Sequence, residues 1–200
     1  YHKQLARVVQ TLGHKIDNYH IYTFGAKDIE IFEDEGLGTA YSGIRYHPVG
    51  SMMGDAYGSR HRLQKADFDI VWVSQCSSET LRGSMDIQRL LRDQTIVAAS
   101  LVSKYATQNC LSLLIQLRSP LEDEELEMDF YSNLYAELPI PVSFSRNMEI
   151  FSAYDAVSRA SLVTSIHSTL GYESMNFGKR VIFFHLELSA VLKVSSSKHS

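Results

Sequence analysis

The sequence predicts an α/β protein built on a doubly wound parallel sheet, and three observations carry that reading. From Asp69 onward, apolar strand-like runs alternate with stretches of helical spacing, the pattern of βαβ units. Val181, Ile182, Phe183 and Phe184 form an unbroken apolar run, as expected of a strand covered on both faces. The stretch SLVTSIHSTLGYESMNFGKRVIFF, Ser161 to Phe184, reads as strand, small polar turn, helix and second strand, a complete βαβ step.

The elements follow in order. Leu5 to Leu12 has helical spacing, and Tyr19 to Phe24 is a strand ending at Gly25. Lys27 to Glu35 is a short acidic helix stopped by Gly36. Ile44 to Val49 is a strand broken by Pro48 and leading to Gly50, and the Gly-, Ser- and Met-rich stretch from Ser51 to Lys65 reads as a linker or loop. Two strands are too few to enclose a core. Residues 1–60 therefore read as the end of a preceding α/β domain, and 61–200 as a C-terminal one.

Asp69 to Cys76 is the first strand of that second domain. Ser84 to Thr107 places Ile87, Leu90, Leu91, Ile96, Val97 and Leu101 at helical spacing, one helix or two. Cys110 to Leu117 is a second buried strand. Glu122 to about Leu138 is helical, with Ser119 as cap, Pro120 at the first helical position, and Pro139 and Pro141 as stops. Its acidic run, Glu122 to Asp129, reads as a solvated face. Val142 to Ser145 is a third strand, Met148 to Arg159 a helix, Leu162 to Ile166 a fourth strand, and Arg180 to Phe184 a fifth. With right-handed crossovers these give a doubly wound, Rossmann-like sheet. Beyond Phe184 the periodicity is weak and the chain runs into a polar tail.

Composition narrows the function classes. Apolar residues make up 44% and charged residues 21%, as in soluble globular proteins. The net charge of −4 and scattered basic residues leave no footprint for nucleic acid. No apolar run approaches the roughly 20 residues that span a bilayer. No secretory leader is visible, although the chain opens at Tyr1, so a lost leader stays open. Cys76 and Cys110 both fall in apolar strand-like runs and read as buried, reduced thiols. The dispersed histidines show no metal-ligand spacing, so no metal and no cofactor are expected.

The candidate site lies where the fourth strand ends. His167, Ser168 and Thr169 form a small polar turn between a strand's carboxyl end and a helix's amino end, the crevice where open parallel sheets bind ligands. Free N–H groups and the helix dipole there favour an anion, phosphate above all. Gly171 follows these residues at the strand end, and Glu173, one helical turn after Thr169, can accept hydrogen bonds from sugar hydroxyls. Thr169 also reads as the helix cap, and Glu173 reads equally as an acid in a favourable first turn. Gln75, Arg118, Arg146 and Asn147 close other strands on the same edge. Arginines there suit bidentate phosphate binding, or stand as plain surface residues. His167 reads as a general acid, a donor to a leaving phosphate, or a satisfied strand-end histidine.

These residues resemble a known family. The order strand, IHSTLGYE turn, helix, FGKRVIFF strand looks like the C-terminal donor-binding half of glycosyltransferases of the two-domain GT-B architecture, in the flavour of bacterial surface-polysaccharide and lipopolysaccharide biosynthesis. Gly178, Lys179, Arg180 and Val181 fit the strand start of that pattern, and YTFGAKDIEIFEDEGL followed by RYHPVGS resembles the close of the acceptor domain. His167 departs from the pattern, standing where many relatives carry glycine.

The resemblance implies a nucleotide-sugar donor, a carbohydrate or lipid-linked acceptor, and no metal. It gives Ser168 and Thr169 the donor's phosphates and Glu173 its ribose, with Gln75, Arg118, Arg146, Asn147, His167 and Gly171 around them. It implies a cytoplasmic place and leaves peripheral association with the inner membrane face open. The catalytic base would belong to the acceptor domain, most of which is missing, so activity of this chain alone is not implied. A sugar-nucleotide epimerase of the same fold, and a non-catalytic nucleotide-binding or interaction domain, stay as alternatives.

Overall fold

The computed structural model describes residues 19–23, 25–27, 29–30, 44–60, 65–82, 86–136, 138–176 and 178–184. The helix expected over 5–12 and the polar tail beyond Phe184 lie outside these residues. So does most of the acidic helix expected over 27–35, of which 27, 29 and 30 are described and helical. Contacts divide the chain into two units, Tyr1–Asp55 and Ala56–Ser200.

In the first unit β1 (Tyr19–Thr23) and β2 (Ile44–Pro48) pair in parallel, Tyr19 opposite Ile44 and Thr23 opposite Pro48. The imidazoles of His20 and His47 stack across the pair, with Nδ1 and Nε2 2.7 Å apart. Helix α1 (Met52–Arg60) occupies the stretch that read as a linker. Ser51 starts it, its hydroxyl accepting the Gly54 N–H at 2.9 Å. Tyr57, which belongs to the second unit, is fully buried there, donates to Asp155 Oδ1 at 2.8 Å and stacks on Tyr154. A single aromatic anchor thus outweighs weak local propensity.

The second unit is the doubly wound α/β domain. Its strands are β3 (Phe68–Val73), β4 (Leu113–Pro120), β5 (Val142–Asn147), β6 (Ala160–Ser165) and β7 (Arg180–Phe183). All neighbours pair in parallel, in the order β5-β4-β3-β6-β7. The chain winds outward from β3 through β4 to β5, then returns to β3's other side through β6 and β7. This is the Rossmann order, and the reversal point lies between β3 and β6.

The helices between them are α2 (Ser78–Arg82), α3 (Asp86–Gln108), α4 (Glu124–Leu134, entered by a 3₁₀ turn over Leu121–Asp123), α5 (Ser152–Ser158) and α6 (Thr169–Asn176). Alternation along β3 feeds two cores, one per face. Ile70 and Trp72 pack with Ala98, Val102, Leu113, Ile115 and Tyr131 under α3 and α4. Val71 and Val73 pack with Leu114, Tyr154, Val157 and Leu170 under α5 and α6.

Three sequence expectations change. The second strand is shifted by three residues, because Asn109 and Cys110 close α3 in a turn with Cys110 at φ +53°. Cys110 is therefore exposed, while Cys76 is buried as expected, just past β3. The acidic run does not face solvent throughout. Glu127 is fully buried, and Glu124 is only 4% exposed.

At the opposite edge of the sheet, the GKRV element closes α6 structurally. Gly178, at φ +69°, lets its own N–H reach the Met175 carbonyl and the Lys179 N–H reach that of Ser174, a helix stop of the Schellman kind. Lys179 Nζ donates to the carbonyls of Ser158, at the end of α5, and Ala160, at the start of β6, and burial pushes its pKa down.

Candidate functional site

A cleft of about 440 Å³ opens at the carboxyl ends of β3, β4 and β6 and the start of α6. It is lined by polar Ser74, Gln75, Gln116, Arg118, Asn147, His167, Ser168 and Thr169, with Val73, Leu117, Ala153 and Leu170 between them. That is the switch point of the sheet, where the strand order reverses and neighbouring connections leave toward opposite faces.

The α6 side is built by Ser168. Its N–H donates to Ser165 Oγ, its Oγ accepts the Leu170 N–H at 3.2 Å, and its carbonyl accepts the Gly171 N–H at 3.0 Å. Ser168, not Thr169, is therefore the helix cap. Thr169 occupies the first helical position, exposed, and its N–H has no partner among the described residues. The positive end of the α6 dipole thus opens into the cleft with a donor uncommitted.

The β4 side is held from below. Glu127 accepts the Arg118 N–H at 3.1 Å on each carboxylate oxygen and the Ser119 N–H at 2.7 Å. Ser119 Oγ in turn accepts the Ser78 N–H. The Arg118 guanidinium donates from Nη1 to the Gln75 carbonyl at 3.0 Å, tying the ends of β3 and β4 while remaining exposed. Ser74 is fixed from the core, where Trp72 Nε1 donates to the Tyr131 hydroxyl and that hydroxyl donates to Ser74 Oγ, each at 2.9 Å. The Cys76 thiol is pushed up to about 11 by burial, with the Glu127 charge adding to it, which keeps it protonated and unreactive.

Electrostatically the cleft favours an anion. His167 has its pKa lowered, first by burial and then by the positive charge of Arg118, so its imidazole is neutral at pH 7. A bound anion reverses that second influence. Among the described residues, no three His, Cys, Asp or Glu side chains gather as a metal site.

Of the residues singled out by sequence, Gln75, Arg118, Asn147, His167, Ser168 and Thr169 meet in this cleft. Arg146, Gly171 and Glu173 are not among its lining residues. Arg146 pairs its guanidinium with Glu124, whose second oxygen is buried without a partner among the described residues. Gly171 lies against β7, where a Cβ would stand 2.7 Å from Phe183 Cε1, so this glycine serves helix–strand packing. Glu173 accepts a 2.7 Å hydrogen bond from the Tyr154 hydroxyl and joins α6 to α5. Sequence reading missed Ser74 and Gln116. Gln116 carried a signal, a lone amide within the apolar CLSLLIQL run, where a buried polar residue calls for an explanation.

Among the described residues no helix is long and apolar enough to cross a membrane. A family model described as "putative O-antigen biosynthesis protein" matches residues 31–199. No curated protein matches the sequence.

Proposed function

The chain belongs to this O-antigen biosynthesis family, and on that premise we propose that its C-terminal domain binds the nucleotide-sugar donor of a glycosyltransferase acting in surface-polysaccharide assembly. The observation that carries the reading is the cleft at the switch point. It joins a capped helix end, an uncommitted N–H at Thr169, the Arg118 guanidinium and a neutral His167 on one wall. This combination suits a diphosphate: the helix dipole and Arg118 offset its charge, and Ser168 and Thr169 supply short-range donors.

In transfer, the same groups would stabilise the charge that builds on the departing nucleotide phosphate as its bond to the sugar breaks. Helix and guanidinium stand in place before the charge develops, so little reorganisation opposes them. The acceptor, carbohydrate or lipid-linked, and the base that activates it are not assigned to residues of this domain.

Titration with UDP, GDP, CMP and dTDP and their sugar conjugates tests the reading. The matching donor raises stability by about 2.7 kcal/mol at a hundredfold excess over its Kd, and Arg118→Ala removes most of that gain. A panel that leaves the unfolding midpoint unmoved at millimolar concentration counts against donor binding. Release of free nucleoside diphosphate with a glycosylated product separates transfer from epimerisation or binding alone.

A further inference from the structure

Among the described residues, the amide of Gln116 is the buried cleft-lining side chain whose bonding is incomplete. Its Nε2 donates to the Leu117 carbonyl at 2.8 Å and to Asn147 Oδ1 at 2.9 Å. Asn147 fixes the direction of that exchange, because its own Nδ2 donates to the carbonyls of Leu117 and Ser119, leaving only its oxygen for Gln116. Rotating the Gln116 amide would set oxygen against oxygen at both contacts, so its orientation is determined by the network. Gln116 Oε1 is consequently left buried with no hydrogen-bond donor among the described residues, on a side chain only 2% exposed.

A buried acceptor without a donor is destabilising, and native proteins rarely keep one without a use. Gln116 lines the cleft. Arg118 and His167, both exposed, line the same cleft. Gln116 sits near the carboxyl end of β4, the strand reached directly from β3. Glu173, expected to hold the sugar, accepts a hydrogen bond from Tyr154 and is not among the residues lining this cleft.

We infer that Gln116 Oε1 is the hydroxyl-recognising group of the cleft, accepting a hydrogen bond from a sugar hydroxyl of a ligand whose phosphate lies at the α6 end. The ligand class is therefore a phosphorylated sugar or nucleotide, not free phosphate. The inference rests on the anion site proposed above. Two sugars share the required chemistry, the ribose of the nucleotide and the pyranose it carries.

The test compares the full chain with Gln116→Met, which keeps length and volume but removes the acceptor. Calorimetric titrations use inorganic pyrophosphate, UDP and GDP, their 2′- and 3′-deoxyribose analogues, and UDP-glucose. In the wild type the hydroxyl-bearing ligand binds about threefold to tenfold more tightly than its deoxy analogue, the worth of one net hydrogen bond. In Gln116→Met that ratio falls to about one, while pyrophosphate binds as before. If the deoxy nucleotides bind normally and the variant loses instead a preference for UDP-glucose over UDP, the hydroxyl belongs to the transferred sugar. Equal ratios in both proteins overturn the assignment and leave the anion site standing. Wild type that fails to bind pyrophosphate or either nucleotide overturns the anion site and this inference with it. Should Gln116→Met not fold, the side-chain amide resonances of Gln116 in the wild type decide. They move with UDP or UDP-glucose and not with pyrophosphate, and no movement with any of them overturns the proposal.

Discussion

At the carboxyl end of β6 the polar groups stay open to the cleft, whereas at the end of β4 the backbone is closed from behind by a buried carboxylate. Ser168 caps α6 with one hydroxyl and leaves the Thr169 N–H uncommitted. Glu127 takes both the Arg118 and Ser119 N–H groups, so the polar side chains that line the cleft from that strand are those of Arg118 and Gln116. The same donors, backbone amides at a strand end, are thus a candidate ligand site in one place and part of the scaffold in the other. What separates the two is an acid on the following helix, Glu127 three residues into α4, which α6 lacks in its first turn.

The largest expected effect comes from breaking the closed side. Glu127→Ala strands two amide N–H groups in the interior and leaves a cavity, and it should destabilise the domain by about 3 kcal/mol or more in urea unfolding. Glu127→Gln keeps one acceptor and should lose about half as much. If both variants unfold at the wild-type midpoint, the carboxylate does not hold the β4 end, and the contrast between the two strand ends fails.

Next comes the packing that lets α6 approach the sheet. Gly171→Ala drives a Cβ to 2.7 Å from Phe183 Cε1, and Phe183 is itself stacked on Tyr172 at 4.3 Å, so it has limited room to retreat. Overpacking of this kind should cost about 1–3 kcal/mol. Adding Phe183→Leu should return part of that loss, and a double variant no more stable than Gly171→Ala alone would argue against the contact. Nucleotide affinity of the folded protein should change little, since Gly171 is not part of the cleft wall.

How far the sequence revealed these features depends on how local their causes are. The parallel α/β order was legible because alternation and 3.6-residue periodicity are written within each element, and the turn at His167 to Thr169 because its chemistry is contiguous. Ser168 rather than Thr169 as cap was a one-residue matter of helix start, which periodicity does not resolve. The buried roles of Glu124 and Glu127 were hidden, because acids at a helix start are favourable for a purely local reason. Their partners, Arg146 and the β4 amides, come from other elements. Tyr57 was hidden in the same way, its Gly- and Ser-rich surroundings masking an anchor to Asp155 ninety-eight residues on. Glu173 shows the reverse case, where an attractive spacing met a partner, Tyr154, that no local pattern announced.

On the open side the cap gives a smaller and more selective effect. Ser168→Ala should cost about 1 kcal/mol of stability and weaken nucleotide binding together with it. Thr169→Ala, at the exposed first position of the helix, should stay within about 0.5 kcal/mol of wild type. The reverse ranking in thermal unfolding would return the cap to Thr169.

The smallest effect is electrostatic and concerns His167. Burial and the Arg118 charge hold its folded pKa below the ordinary value near 6.5. In the window between those two values the unfolded chain binds more protons than the folded one, so stability rises with pH through the window and falls as the solution is acidified below about 6.5. Anion binding acts in the other sense. A phosphate beside Arg118 offsets the positive charge that disfavours imidazolium and adds attraction for it, so His167 should take up a proton as the ligand binds. Affinity should therefore strengthen on going from pH 7.5 to pH 6, and calorimetry in two buffers of different ionisation enthalpy should register net proton uptake. Diphosphates titrate in the same range, so sulfate, which does not, serves as the probe alongside UDP, and His167→Asn serves as the reference protein. The wild-type slope in excess of the His167→Asn slope is the contribution of the imidazole. Identical slopes for sulfate would place the bound anion out of reach of His167 and shift the open site toward Thr169 and the helix end alone.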